Sequence, residues 1–286
     1  MNQSAAGWSN GLIGILIFSG SLPATRVAVG GFDPLFLTSA RAVIAAFIGI
    51  ALLVLLKQRS PNRQETRSLI YTAFGVVLGF PLLTALALQH ITAAHSTVYI
   101  GLLPLATAVF GVIRGGERPS PVFWFFSCLG SLTVVGFALT QGAEASFYGD
   151  GLMLAAIIVC GFGYAEGAIL SKRLGGWQVI SWSLAFSLPA MLLLAVFTWP
   201  ESLRNIALPA WFGLGYVSAF SMMIGFIFWY RGLALGGITG VGQLQLLQPF
   251  FSLILAAFLL GEAVSMLMIG ATVFVVACVA GAKKFA

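Results

Sequence analysis

Apolar residues occupy this chain in long blocks, broken at near-regular intervals by short clusters of Gly, Pro and charged residues. A helix needs about 20 apolar residues to cross the hydrocarbon core of a bilayer. Ten blocks come to that length or close to it: 9–28, 33–56, 68–89, 92–113, 120–140, 150–170, 177–198, 208–230, 238–260 and 265–282. None shows the strict alternation of a membrane barrel strand, so the pattern predicts helices. The links are too short to hold a soluble domain. The expected fold is an all-α integral membrane protein with ten transmembrane helices.

Composition agrees. Of 286 residues, 59% are hydrophobic and 8% are charged, and the mean hydropathy is +1.02. Soluble domains carry about 25% charged residues, and so few charges could not cover a water-facing surface. The start of the chain does not read as a cleaved signal peptide. No Lys or Arg precedes the first apolar run, and Ser19, Gly20, Ser21 and Pro23 interrupt it.

The net charge of +6 could suggest nucleic acid, but its placement points to topology. With the N-terminus in the cytoplasm, the inner links and tails hold Lys57, Arg59, Arg63, Arg67, Arg114, Arg118, Lys172, Arg173, Arg231, Lys283 and Lys284. The outer links hold only Arg26 and Arg204, and Arg41 lies within the second span. This is the positive-inside asymmetry, so both termini are expected in the cytoplasm. No nucleic-acid partner is expected, and the basic residues face anionic lipid instead. Trp8, Trp124, Trp177 and Trp229 near the inner boundary, with Trp199 and Trp211 near the outer, form an expected aromatic belt.

The chain also repeats itself. Around the fourth span, Pro104 is followed after eleven residues by Gly116-Glu117; around the ninth, Pro249 is followed after eleven residues by Gly261-Glu262. The offset is 145 residues, about half the chain, and Ile91-Thr92 and Ile238-Thr239 open the two spans with a two-residue difference in length. The expected units are 1–140, with spans 1–5, and 141–286, with spans 6–10. Five spans per unit force the second to enter the membrane upside down. Inverted repeats of this kind usually hold a site near mid-membrane between the halves.

The paired Pro-x11-Gly-Glu blocks, the Ser19-Gly20-Ser21 segment and Arg41 resemble the drug/metabolite transporter superfamily. More narrowly, the chain is similar to EamA-type ten-helix exporters of the YddG-type branch, which handles aromatic amino acids. The resemblance implies a bacterial inner-membrane protein, a monomer or weak dimer, that exports small metabolites by alternating access. Neutral or aromatic amino acids are the expected substrates. It also implies a cavity lined by spans 1, 3, 4, 6, 8 and 9.

Polar residues at depth supply candidates for that cavity. Ser21, Thr84, His95, Tyr99, Tyr164, Ser218, Gln245 and Gln248 lie within spans. Their amides and hydroxyls could replace the hydration of a zwitterion, while rings hold its apolar part. Ser19 and Ser221 lie at similar depths. Pro104 and Pro249 each remove an amide hydrogen and should bend or hinge their helices. Arg41 and Glu166 are ionisable residues inside apolar spans and are candidates by default. The resemblance implies that Arg41 anchors on backbone carbonyls, and Glu166 lies one turn from Lys172-Arg173, with which it could pair. Gly163-xxx-Gly167 allows close helix contact, whereas Gly232, Gly236 and Gly240 straddle an expected turn.

No cofactor or metal is expected. His90 and His95 flank one link with no Cys, Asp or Glu beside them. Cys128, Cys160 and Cys278 all fall within spans and read as packing residues. An intramembrane enzyme is the first competing class, but H-E-x-x-H and G-x-S-G are absent from the sequence. A lipid flippase is the second.

Overall fold

The structure is a computed structural model, which describes residues 3–87, 89–91, 96, 99–140, 146–204, 206–260 and 266–286. All regular elements among the described residues are helices. Eight are long and apolar enough to cross a membrane. They are α1 (Gln3–Ala28), α2 (Pro34–Leu55), α3 (Arg63–Ala87), α5 (Pro121–Leu139), α6 (Phe147–Leu174), α7 (Gly176–Phe197), α8 (Leu208–Gly236) and α10 (Met266–Phe285). Two further stretches complete the order. In α4, the described helix is Leu103–Gly115. In α9, three pieces follow one another: Ile238–Gly242, a 3₁₀ turn Gln243–Leu247, and Gln248–Leu260.

Local chemistry explains most helix starts. The Asp33 carboxylate accepts the amides of Leu35 and Phe36, and Pro34 opens α2. Asn62 and Glu65 form a reciprocal capping box at α3. Ser120 and Ser146 cap α5 and α6.

Several of the extensive helix contacts share one pattern. α2 lies on α7, α5 on α10, α4 on α9, α1 on α8, α3 on α6, α4 on α6, and α9 on α1. Moving each helix number by five turns every one of these pairs into itself or another member of the set. The α1–α8 contact is backbone to backbone: a Cβ built on Gly7 would lie 2.3 Å from the Gly236 nitrogen, and one on Gly232 would lie 2.6 Å from the Gly11 nitrogen. Gly232 and Gly236 therefore form a helix seam, not the turn their spacing suggested; the turn is made by Gly237, at φ 91°. Gly163 meets Gly75 of α3, and Gly167 meets the Tyr230 ring, as the small-residue ladder predicted. Lys283 sits 4.7 Å above the Trp8 ring, so both ends of the described chain lie at one face of the bundle, called the termini face below.

The prolines act differently from a kink in a continuous helix. Pro104 sits in the first turn of the Leu103–Gly115 helix, where its missing amide costs nothing. Pro249 is the second residue of the Gln248–Leu260 helix. The Gln245 carbonyl that it would leave free accepts the Gln248 amide through the 3₁₀ turn, so it is not left unsatisfied.

Candidate functional site

Two helices carry long π-helical segments, which are rare and concentrate at functional places. One is Ala73–Gly79 in α3, and the other is Tyr216–Gly225 in α8. The offset of 145 residues carries 73–79 onto 218–224, within the second segment. Neither contains a proline, and no sequence signal announced them. The segment in α8 places Ser221 against α1, where the Ser21 hydroxyl donates to Ser221 Oγ at 2.8 Å.

That contact belongs to a polar seam around a break in α1 at Gly20. Tyr216 donates to the Ile17 carbonyl at 2.9 Å, and Ser252 donates to the Ser19 carbonyl at 2.9 Å. Ser19 donates to Ile15 at 2.7 Å and approaches the Gln248 carbonyl at 3.4 Å. Ser218 bonds within its own helix, to Leu214 at 2.6 Å. A Cβ on Gly20 would stand 2.2 Å from the Tyr216 hydroxyl. Gly20→Ala should therefore displace Tyr216 and destabilise the chain by about 1–3 kcal/mol. The check is thermal unfolding in detergent, where an unchanged midpoint would show that the seam is loose.

A second group lies deeper. Phe18 of α1, Tyr164 of α6 and Phe226, Trp229 and Tyr230 of α8 form a continuous aromatic box. Its ring centroids are 5.1 Å apart for Phe18–Phe226, 5.6 Å for Tyr164–Trp229 and 5.5 Å for Phe226–Tyr230. Gln245 of α9 is buried beside it, next to the Tyr164 hydroxyl. Neither atom of the Gln245 amide has a hydrogen bond of regular geometry, and the Trp229 indole nitrogen is buried without a partner too. Tyr230 reaches the Gly163 carbonyl at 3.4 Å. Trp229 is 0% exposed, so it belongs to this box and not to the boundary belt. The belt expected for Trp229 does not hold because α8 runs past it to Gly236 and is covered by α1.

The remaining candidates lie apart from the box. Thr84 Oγ1 is buried without a partner in α3. Tyr99 lies within reach of the Asp150 carboxylate at the start of α6, a partner that its sequence neighbours do not suggest. His95 lies outside the described residues, as does the Gly261-Glu262 block. Arg41 has a buried Nε without a partner and makes no ion pair among the described residues, so no carbonyl anchor holds that nitrogen. Glu166 is buried and pairs with Arg114 of α4, not with the Lys172-Arg173 pair near it in sequence. Cys160 and Cys278 are buried as expected, but Cys128 is exposed on the surface of the bundle.

At the termini face α4 and α9 are tied by one carboxylate. Gly116, at φ 69°, turns the chain after α4 and presents Glu117 to the start of α9. Its two oxygens accept the amides of Ile238 and Thr239 at 2.7 Å each. α9 thus begins at the face where α4 ends. The positive end of a helix favours such a charge.

A sequence model of the EamA-like transporter family matches residues 6–139 and 147–282. The uncharacterized transporter YdeK of Bacillus subtilis (strain 168) is 62% identical over 286 residues, covering 100% of each chain. The uncharacterized transporter YyaM of the same organism is 22% identical, over 93% of this chain and 90% of its own. One crystal structure shares the fold over 100% of both chains, with a TM-score of 0.85 at 19% identity.

Proposed function

We propose that this chain, which belongs to the EamA-like transporter family, exports neutral or aromatic amino acids, or close carboxylate-bearing metabolites, by alternating access between two inverted halves. The observation that carries the substrate class is the Gln245 amide, buried beside the Tyr164 hydroxyl and an aromatic box with no hydrogen bond of regular geometry. A buried amide left unmade costs about 1–3 kcal/mol, and a ligand with its own donors and acceptors would recover that. The rings suit an apolar or aromatic side chain. Arg41, within α2 and without an ion pair among the described residues, is the natural counter-charge for a carboxylate.

The division into 1–140 and 141–286 is supported by the two stretches that the family model matches. The pairing of helices that survives a shift of five, and the two π segments at one offset, support it from the geometry. Basic residues gathered toward the termini face support its being cytoplasmic. In that orientation the Glu117 contact closes the path on the cytoplasmic side, and Pro104 and Pro249, each next to a break, are the hinges.

The test is transport in proteoliposomes loaded with single radiolabelled amino acids. Saturable movement of phenylalanine, tryptophan or leucine, competed by the unlabelled molecule, is the expected result. Failure to move any amino acid, while a structurally unrelated metabolite is moved, would remove the substrate class and leave a general metabolite transporter.

A further inference from the structure

We propose that a crevice at the termini ends of α3, α4 and α6 binds the headgroup phosphate of an anionic phospholipid. A cavity of about 320 Å³ opens there, lined among others by Glu65, Arg67, Arg114, Glu166 and Arg173. Its two carboxylates are already occupied. Glu65 accepts from Arg59 at 2.6 and 2.9 Å and from the Asn62 amide at 2.9 Å. Glu166 accepts from Arg114 Nε. Arg67 and Arg173 make no ion pair among the described residues, and Arg114 engages Glu166 through Nε alone. Counting Arg59, four guanidinium groups meet two carboxylates, so the crevice carries an excess of positive charge.

What lies one turn deeper selects a lipid over a soluble anion. Tyr71 follows Arg67 by four residues, Phe110 precedes Arg114 by four, and Phe162 precedes Glu166 by four, so each shares a helix face with a charged residue of the rim. Phe162 joins the three, with ring centroids 5.7 Å from Tyr71 and 5.5 Å from Phe110. The Arg114 guanidinium sits 6.0 Å above the Phe162 ring. Beside them Ile70 is 50% exposed and Ile113 is 67% exposed. A phosphate above and an acyl chain below match this order, and basic pockets between transmembrane helices take such headgroups. The proposal needs only that the bundle lie in a bilayer, and it is independent of the substrate.

Native mass spectrometry of the purified protein tests it, with dioleoyl phosphatidylglycerol, dioleoyl phosphatidylcholine and glycerol 3-phosphate as separate probes. The wild-type chain should retain phosphatidylglycerol in preference to phosphatidylcholine. Arg67→Ala with Arg173→Ala should weaken the anionic lipid about thirtyfold while leaving phosphatidylcholine unchanged. Equal retention of phosphatidylglycerol by the double variant would overturn the proposal. Retention of glycerol 3-phosphate as strong as that of the lipid would make the crevice a soluble-anion site. Should the double alanine variant unfold, Arg67→Gln with Arg173→Gln carries the same comparison.

Discussion

Gln245→Leu should abolish amino-acid transport and at the same time make the protein more stable. The two effects have opposite signs because the amide is buried with neither atom in a hydrogen bond of regular geometry. In the resting structure it is a liability of about 1–3 kcal/mol, which a leucine of similar volume removes. A midpoint of thermal unfolding raised by about 2 °C or more is expected. If the amide receives the polar end of the substrate, its loss should lower transport at least about tenfold, one missing hydrogen bond to a charged group being worth about 1.5–3 kcal/mol. Proteoliposome uptake and unfolding of the same preparation provide both numbers. A variant that transports normally would take Gln245 out of the site. A variant that loses stability along with transport would show that the residue supports the fold instead.

Glu117→Ala is expected to open the termini face. The carboxylate bridges α4 and α9 through two bonds of 2.7 Å to the Ile238 and Thr239 amides. Removing it strands two amides at a helix start and deletes a favourable charge there. At about 1.5–3 kcal/mol for a hydrogen bond to a charged group, the population open at that face should rise at least about tenfold. Val241, 0% exposed and one turn into α9, reports it. In a chain whose three native cysteines are alanine, Val241→Cys should react slowly with a membrane-impermeant maleimide. Adding Glu117→Ala should speed that reaction at least about tenfold, and Glu117→Asp should fall between. An unchanged rate in a folded double variant would mean that other contacts hold this face shut.

The spans were legible because about 20 apolar residues between charged links have few alternatives to a membrane helix. Candidate residues were legible only by depth and spacing, and both fail where packing decides. Tyr164 and Gln245 do meet, but of the other four rings around that meeting the sequence placed Trp229 in the boundary belt and gave no role to Phe18, Phe226 and Tyr230. Those three read as ordinary apolar filling, and the run from Phe226 to Tyr230 is the only hint. Glu166 found Arg114 on another helix, 52 residues away, where sequence proximity favoured Lys172-Arg173. The π segments were invisible, since one extra residue per turn leaves no mark in composition. The 145-residue offset, by contrast, depends on identities that need no geometry to compare.

The glycine contacts set the mechanics. α1 and α8 touch through the backbones of Gly7 and Gly236 and of Gly11 and Gly232, and α6 meets α3 in the same way through Gly163 and Gly75. Surfaces that meet backbone to backbone have no side-chain rotamers to absorb a slide, so each pair behaves as a welded strut. Any opening of the bundle must then leave both struts intact and run between them, past α4 and α9, whose helices are already broken. The break in α1 at Gly20 lies beyond the Gly7 and Gly11 contacts, so the strut keeps the unbroken part of that helix. The breaks beside Pro104 and Pro249 lie in helices that no such glycine pair ties among the described residues.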